Sequence, residues 1–148
     1  MKVLASNRKA KVKYDFLENY EAGIVLTGSE VKSAKAGHVS VDEAFAVVRE
    51  GEVFIVNMYI APYEKSFRGH EPRRSRKLLL HKSEIKRITG KLTQKGLTLV
   101  PLSVYVNDRG YIKVKIALAK GKKSYDRREE IKKRDLEREL ARKYKLKL

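Results

Sequence analysis

Three histidines, His38, His70 and His81, and two carboxylates set apart from the mixed-charge runs, Glu21 and Glu30, are the residues from which this chain would have to build acid–base or metal chemistry. The histidines lack the mutual spacing of a metal site, and most other acidic residues sit next to basic ones, so paired carboxylates for proton transfer are not evident. There is no cysteine, which removes disulfides and thiolate metal ligands. What remains is recognition chemistry. A carboxylate in basic surroundings can orient an arginine, or accept hydrogen bonds from base edges and ribose hydroxyls. Glu30, inside a short helix, fits the structural role; Glu21, beside small residues, fits either.

Basic side chains dominate: 35 Lys and Arg against 18 Asp and Glu give a formal charge of +17 and a pI near 10.0. Such a charge repels itself in a compact chain unless a polyanion neutralises it, so nucleic acid is the leading partner. An anionic membrane is the lesser one, since no long apolar segment spans or anchors, and no membrane association is expected. Three basic clusters, at 7–13, 73–77 and 113–128, could be brought to one side by an antiparallel fold. Tyr14, Tyr20, Phe67, Tyr105, Tyr111 and Tyr125 are interleaved with them and offer rings for stacking, worth about 1–3 kcal/mol each when used. Most of that ring surface belongs to strands and core; Tyr125, between GKKS and DRR, is the least core-like. The histidines read as surface or RNA-facing side chains.

The stretch 20–37, YEAGIVLTGSEVKSAKAG, organises the scaffold. A strand ending in Ile24, Val25 and Leu26 breaks at Thr27-Gly28. Ser29 is expected to cap a helix over 30–36, with Val31 and Ala34 on one face, Lys32 and Lys35 on the other, and Gly37 closing it. Residues 1–10 show no periodicity. Residues 11–17 alternate as a half-buried strand with Val12, Tyr14 and Phe16 on one face. A hairpin joins 41–48 to 52–60 through Arg49-Glu50-Gly51, with Phe45, Val47, Val53 and Ile55 assigned to the core. Residues 63–77 read as an exposed basic loop that becomes ordered on a phosphate backbone, or else as a solvated loop without a role.

The block Leu78–Leu80 precedes a helix over 81–91, capped by Ser83, with Ile85 and Ile88 on one face. Strands at 97–106 and 111–119 follow, with Pro101 placed at an edge or bulge and Asn107–Gly110 as the turn. Ile112, Val114, Ile116 and Leu118 alternate with Lys113 and Lys115. Six strand-like runs and two short helices predict a mainly β, small antiparallel barrel over 1–122. A basic tail over 123–148 carries Leu136, Leu140 and Tyr144 at four-residue spacing, and is expected to be disordered when free and helical when bound. At 148 residues there is room for one core. The N-terminus lacks the apolar segment of a secretory signal, which leads to the expectation of a cytoplasmic protein.

The ordered series NRKA, YEAGIVLTGSEVKSAKAG, PRRSRKLLLHKSEI, KGLTLVPLSVYV and IKVKIALAKGKKSYDRR closely resembles the SsrA-binding protein (SmpB) family, the partners of transfer-messenger RNA (tmRNA, or SsrA RNA), over about residues 6–140. The resemblance implies a β-barrel of oligonucleotide-binding (OB) type with short flanking helices, acting without a cofactor and without catalysis, as a monomer with its RNA. It implies binding to the tRNA-like domain of tmRNA, support of its aminoacylation, and delivery to stalled ribosomes in trans-translation. The tail would enter the vacant small-subunit decoding centre and mRNA channel.

Carried over residue by residue, the RNA-binding set is Asn7, Arg8, Glu21, Lys32, Lys35, Arg76, Lys77, Leu79, Leu80, Lys113, Lys122, Lys123 and Tyr125. The ribosome-contacting set is Asp126, Arg127, Arg134, Leu136, Arg138, Leu140, Arg142, Lys143 and Tyr144. Two other readings stand beside it: a general RNA-binding or ribosomal structural protein, and, remotely, a nuclease using Glu21 or Glu30.

Overall fold

A computed structural model describes residues 1–63, 69–94, 96–122 and Arg138. In chain order the elements are β1 (Lys2–Ser6), α1 (Ala10–Lys13), β2 (Tyr14–Ile24), α2 (Gly28–Lys35), β3 (Val39–Ser40), β4 (Phe45–Arg49) and β5 (Glu52–Val56). They continue with β6 (Tyr59–Ile60), β7 (Arg76–Leu79), α3 (Lys82–Leu92), β8 (Leu97–Val106) and β9 (Ile112–Gly121). The described chain is mainly β. Seven strands form one sheet in the order β1-β8-β4-β5-β7-β2-β9, and β9 also pairs with β8; β3 and β6 form a separate two-stranded ladder. All the pairings are antiparallel.

The core follows from alternation. Val114, Ile116 and Leu118 of β9, Ala22 of β2, Leu78 of β7, Val53 and Ile55 of β5 and Leu99 and Val104 of β8 are buried in one cluster. Ala34 of α2 and Ile88 of α3 close over it. Each large aliphatic side chain so sealed contributes about 1.5–3 kcal/mol. A smaller cluster of Ala10, Val100 and Ala119, with Tyr14 and Leu102 against it, lies under α1.

Several expectations are corrected. Residues 2–6 are a strand paired to β8, because a partner's edge can order a segment with no pattern of its own. The two strands expected at 11–17 and 20–26 are one long β2, preceded by the turn of helix α1 and interrupted by a bulge between Phe16 and Glu18. That bulge turns Phe16 and Leu17 to solvent, and Val12 on α1 is also exposed. Phe45 faces outward while Ala46 faces the core, a one-residue parity error that inverts every side chain of a strand.

The helix caps also moved. Thr27, not Ser29, caps α2: its side chain accepts from the Glu30 N–H while the Glu30 carboxylate accepts from the Thr27 N–H at 2.9 Å. At α3 the N-cap is His81, whose N–H donates to Glu84 at 3.1 Å, rather than Ser83. The 49–52 hairpin is as expected, with Glu50 and Gly51 both at positive φ (51° and 75°), the backbone of a two-residue primed turn. Pro101 sits at a bulge, since the β8–β9 register shifts between it and Ser103.

Candidate nucleic-acid interface

Because Val114, Ala22 and Val104 point into the core, their neighbours Lys113 and Lys115, Glu21 and Gly23, and Ser103 and Tyr105 must face the other way. The register aligns them in two rungs. One runs from Val3 through Tyr105, Lys113 and Gly23 to Leu79; the other runs from Ser6 through Ser103 and Lys115 to Glu21. Asn7 directly follows Ser6 and is anchored beside this second rung. Its N–H donates to Leu102 O at 2.8 Å and its Nδ2 to Pro101 O at 2.9 Å. Glu21, Leu79 and Lys113, drawn from three separate parts of the sequence, therefore share one face of the sheet, whereas the Asn7 side chain lines a different hollow with Ala10, Tyr14 and Val100.

At the end of the first rung lies a groove of about 390 Å³ lined by Gly23, Leu26, Val31, Lys35, Leu79, Tyr111 and Lys113, among others. Leu79 is 52% and Tyr111 65% exposed. Gly23 is the floor, and its missing side chain is what leaves room between Leu79 and the Lys113 ammonium. Two lysines and an open ring around an apolar floor can neutralise phosphates and stack a base or ribose.

Glu21 borders a neighbouring hollow of about 330 Å³ with Tyr20, Tyr105 and Lys115. The Tyr105 hydroxyl donates to Glu21. Burial first, and the Glu21 carboxylate second, push the Tyr105 phenol above its ordinary range. Glu21 keeps an exposed position while one of its oxygens is held by a tyrosine, which gives it a structural partner and leaves it open to solvent.

The basic run 73–77 is tied down by ion pairs and hydrogen bonds, and one of its arginines is drawn inside. Arg76 is fully buried. Its Nε donates to Glu30, its Nη1 to Met58 O at 2.7 Å and Arg74 O at 3.2 Å, and its Nη2 to Pro72 O at 3.1 Å. It has no surface to offer a phosphate, which corrects its assignment as a contact residue. Arg74 reaches the same carboxylate at 2.5 Å, Arg73 hydrogen-bonds Asn57 Oδ1 at 3.1 Å and covers the Tyr59 ring, and Lys77 pairs with Glu52 at 2.8 Å.

Burial would raise the Glu30 pKa, yet hydrogen bonds from Arg74, Thr27 N–H and Arg76 bring it down to about 2. Burial lowers that of Arg76. The segment is pinned further by His70. Its Nε2 lies 2.9 Å from Ile60 O and must donate there, leaving Nδ1 to accept from the Ser29 hydroxyl at 2.9 Å when the ring is neutral.

Among the described residues the three basic clusters do not all gather in one place. Lys113 and Lys122 are nine residues apart, about 30 Å along an extended strand. Lys122 joins the 7–13 segment: its N–H donates to Lys13 O at 2.8 Å, its ammonium to Lys11 O at 3.3 Å, and Asp15 lies 3.7 Å away. Arg8 is exposed beside Asp42 and Ser40. Lys32 is exposed and stands 5.5 Å from the Tyr63 ring centre. Leu80 is half-buried against the core. Of the tail, Arg138 is exposed; Lys123, Tyr125, Asp126, Arg127, Arg134, Leu136, Leu140, Arg142, Lys143 and Tyr144 lie outside the described residues, as does Phe67.

The groove adds one residue that the sequence did not single out, Gly23, and takes Tyr111 from the rings it did. A strand-interior glycine is a recognised sign of close approach by another group and was the available signal for Gly23. Among the described residues no group of His, Asp and Glu could hold a metal ion, and no helix is long and apolar enough to cross a membrane.

A small, mainly β protein with a lysine-flanked, ring-bearing groove on one sheet face is a binding protein suited to an anionic, ring-containing polymer. A family model described as SmpB protein matches residues 4–146. The SsrA-binding protein of Coprothermobacter proteolyticus is 62% identical over 99% of either chain, and that of Symbiobacterium thermophilum 54% identical over 94% of this chain and 89% of its own. A solved structure described as "tmRNA-SmpB: a journey to the center of the bacterial ribosome" is 57% identical, with a TM-score of 0.67 over 80% of this chain and 84% of that one. The chain belongs to the SmpB protein family.

Proposed function

We propose that this chain is an RNA-binding adaptor of trans-translation that binds the tRNA-like domain of tmRNA, supports its aminoacylation and carries it to stalled ribosomes. The observation that carries this is the convergence of Glu21, Leu79 and Lys113 on one sheet face with Lys35 beside them, in a chain whose relatives are SsrA-binding proteins. The strand pairings run from β8 through β4, β5, β7, β2 and β9 back to β8, which supports a small barrel of OB type as the RNA-binding unit over 1–122. The tail over 123–148, with Arg134, Arg138, Arg142 and its leucine stripe, is assigned to the small-subunit decoding centre and mRNA channel. The protein acts in the cytoplasm, without catalysis.

The test is a titration against the tRNA-like domain of tmRNA at physiological salt, with excess elongator tRNA as competitor. Binding that survives the competitor supports a dedicated adaptor. Equal loss to ordinary tRNA would overturn it in favour of a general RNA-binding or ribosomal structural protein, in which the +17 charge does the binding. Truncation after Asp126 should then spare RNA binding and abolish tagging of stalled products; a large fall in RNA affinity would break that division of labour.

A further inference from the structure

One carboxylate joins the two elements that wall the groove. Glu30 is in the first turn of α2, which also carries Val31 and Lys35; Arg76 opens β7, which carries Leu79. Glu30 and Arg76 have no exposed side-chain surface, and Arg74, one third exposed, shares the same carboxylate. Glu30 Oε1 also accepts from the Thr27 N–H that begins α2, while Arg76 ties back to the carbonyls of Met58 and Pro72.

The distances involved are short. Lys35 is five residues along the helix from Glu30, a rise of about 7.5 Å. Leu79 is three along the strand from Arg76, about 10 Å. A change in how the carboxylate and the two guanidinium groups fit together turns both walls of the groove at once. Buried ion pairs give little net stability over apolar side chains of the same volume, but they tolerate only a narrow geometry. Their use at this junction fits a task of placement.

We propose that Glu30, through Arg74 and Arg76, is a positioning residue for RNA binding, which sets the spacing of Lys35 and Leu79 across the groove without touching RNA. The proposal rests on the groove being the RNA interface. Each phosphate neutralised contributes a slope of about −0.7 to −0.9 in log affinity against log salt, hence about four- to fivefold at about 0.15 M salt. Misplacing one or two lysine contacts should cost about fivefold to twentyfold.

The experiment measures affinity for the tRNA-like domain of tmRNA, with far-UV circular dichroism and urea unfolding on the same samples of full-length protein. The variants are Glu30→Gln, Arg74→Gln, Ile88→Ala and Lys113→Ala. Glu30→Gln and Arg74→Gln should bind about fivefold to twentyfold more weakly while folded. Ile88→Ala, a core change in α3 away from the groove, should lose stability and keep its affinity. A merely structural Glu30 would behave as Ile88 does, with a lower unfolding midpoint and unchanged binding, and that overturns the proposal. If Glu30→Gln fails to fold, Arg74→Gln decides, and wild-type affinity in that variant is equally fatal. Unchanged binding by Lys113→Ala would instead show that the groove is not the interface, and the positioning role falls with it.

Discussion

Gly23 is the most informative single position. A Cβ built there would lie 3.3 Å from Leu79 Cβ, 3.6 Å from Leu79 Cδ1 and 3.7 Å from the Lys113 ammonium. Gly23 is an interior residue of β2, opposite both Leu79 and Lys113. Two effects oppose one another in Gly23→Ala. Replacing a strand glycine by alanine restricts the unfolded chain and stabilises by about 0.5–1 kcal/mol. The contact with Leu79 is too close by a few tenths of an ångström and costs up to about 1–3 kcal/mol if nothing gives. Leu79 is half exposed, so its strand end can move, and the net change in stability should stay within about 1 kcal/mol.

Binding should respond more strongly than stability to the same methyl group. It fills the groove floor, makes Leu79 shift and sets an apolar methyl against the Lys113 ammonium, and the weakening of the one lysine–phosphate contact made there is worth up to about four- to fivefold at about 0.15 M salt, with the salt slope reduced by up to about 0.7–0.9. Urea unfolding and RNA titrations at several salt concentrations measure both quantities. Full affinity with an unchanged slope in a folded Gly23→Ala protein would refute the assignment of this groove.

Arg76→Ala should destabilise the fold by up to about 3–5 kcal/mol, reduced because Arg74 still meets Glu30; urea unfolding checks it, and a loss below about 0.5 kcal/mol would contradict the clamp. Glu30 has a folded pKa of about 2 against an ordinary 4.5, so its stabilisation is fully present above pH 4.5 and fades as the pH falls towards 2. At about 1.4 kcal/mol per pH unit this is at most about 3.5 kcal/mol, and Glu30→Gln should lose that part of the acid dependence of the unfolding free energy. Tyr105→Phe should remove one late-ionising tyrosine from an alkaline ultraviolet titration while costing about 1 kcal/mol or less, since the exposed Glu21 regains water.

Much of the framework was legible locally. The 97–106 strand, the hairpin through Glu50-Gly51, the glycine closing α2 and the alternation of β9 all appear as expected, because backbone preference and side-chain period act over a few residues. The motifs that carry the family resemblance are likewise local strings. So are the net charge and the polyanionic partner it implies, since charge does not depend on where the chain folds it.

What the sequence left open depended on distant partners. β1 has no pattern of its own and exists because β8 supplies an edge; Phe16 and Phe45 face outward because a bulge and a one-residue register decide parity. The arginines of 73–77 read as an exposed basic arm, because composition reports charge and not the partner that neutralises it. Only the tertiary structure brings Glu30, 46 residues before Arg76, close enough to draw that guanidinium inside. Only the sheet register sets Gly23 between Leu79 and Lys113. Charge and periodicity are properties of short segments, whereas burial and juxtaposition belong to pairs of segments, and no single segment carries them.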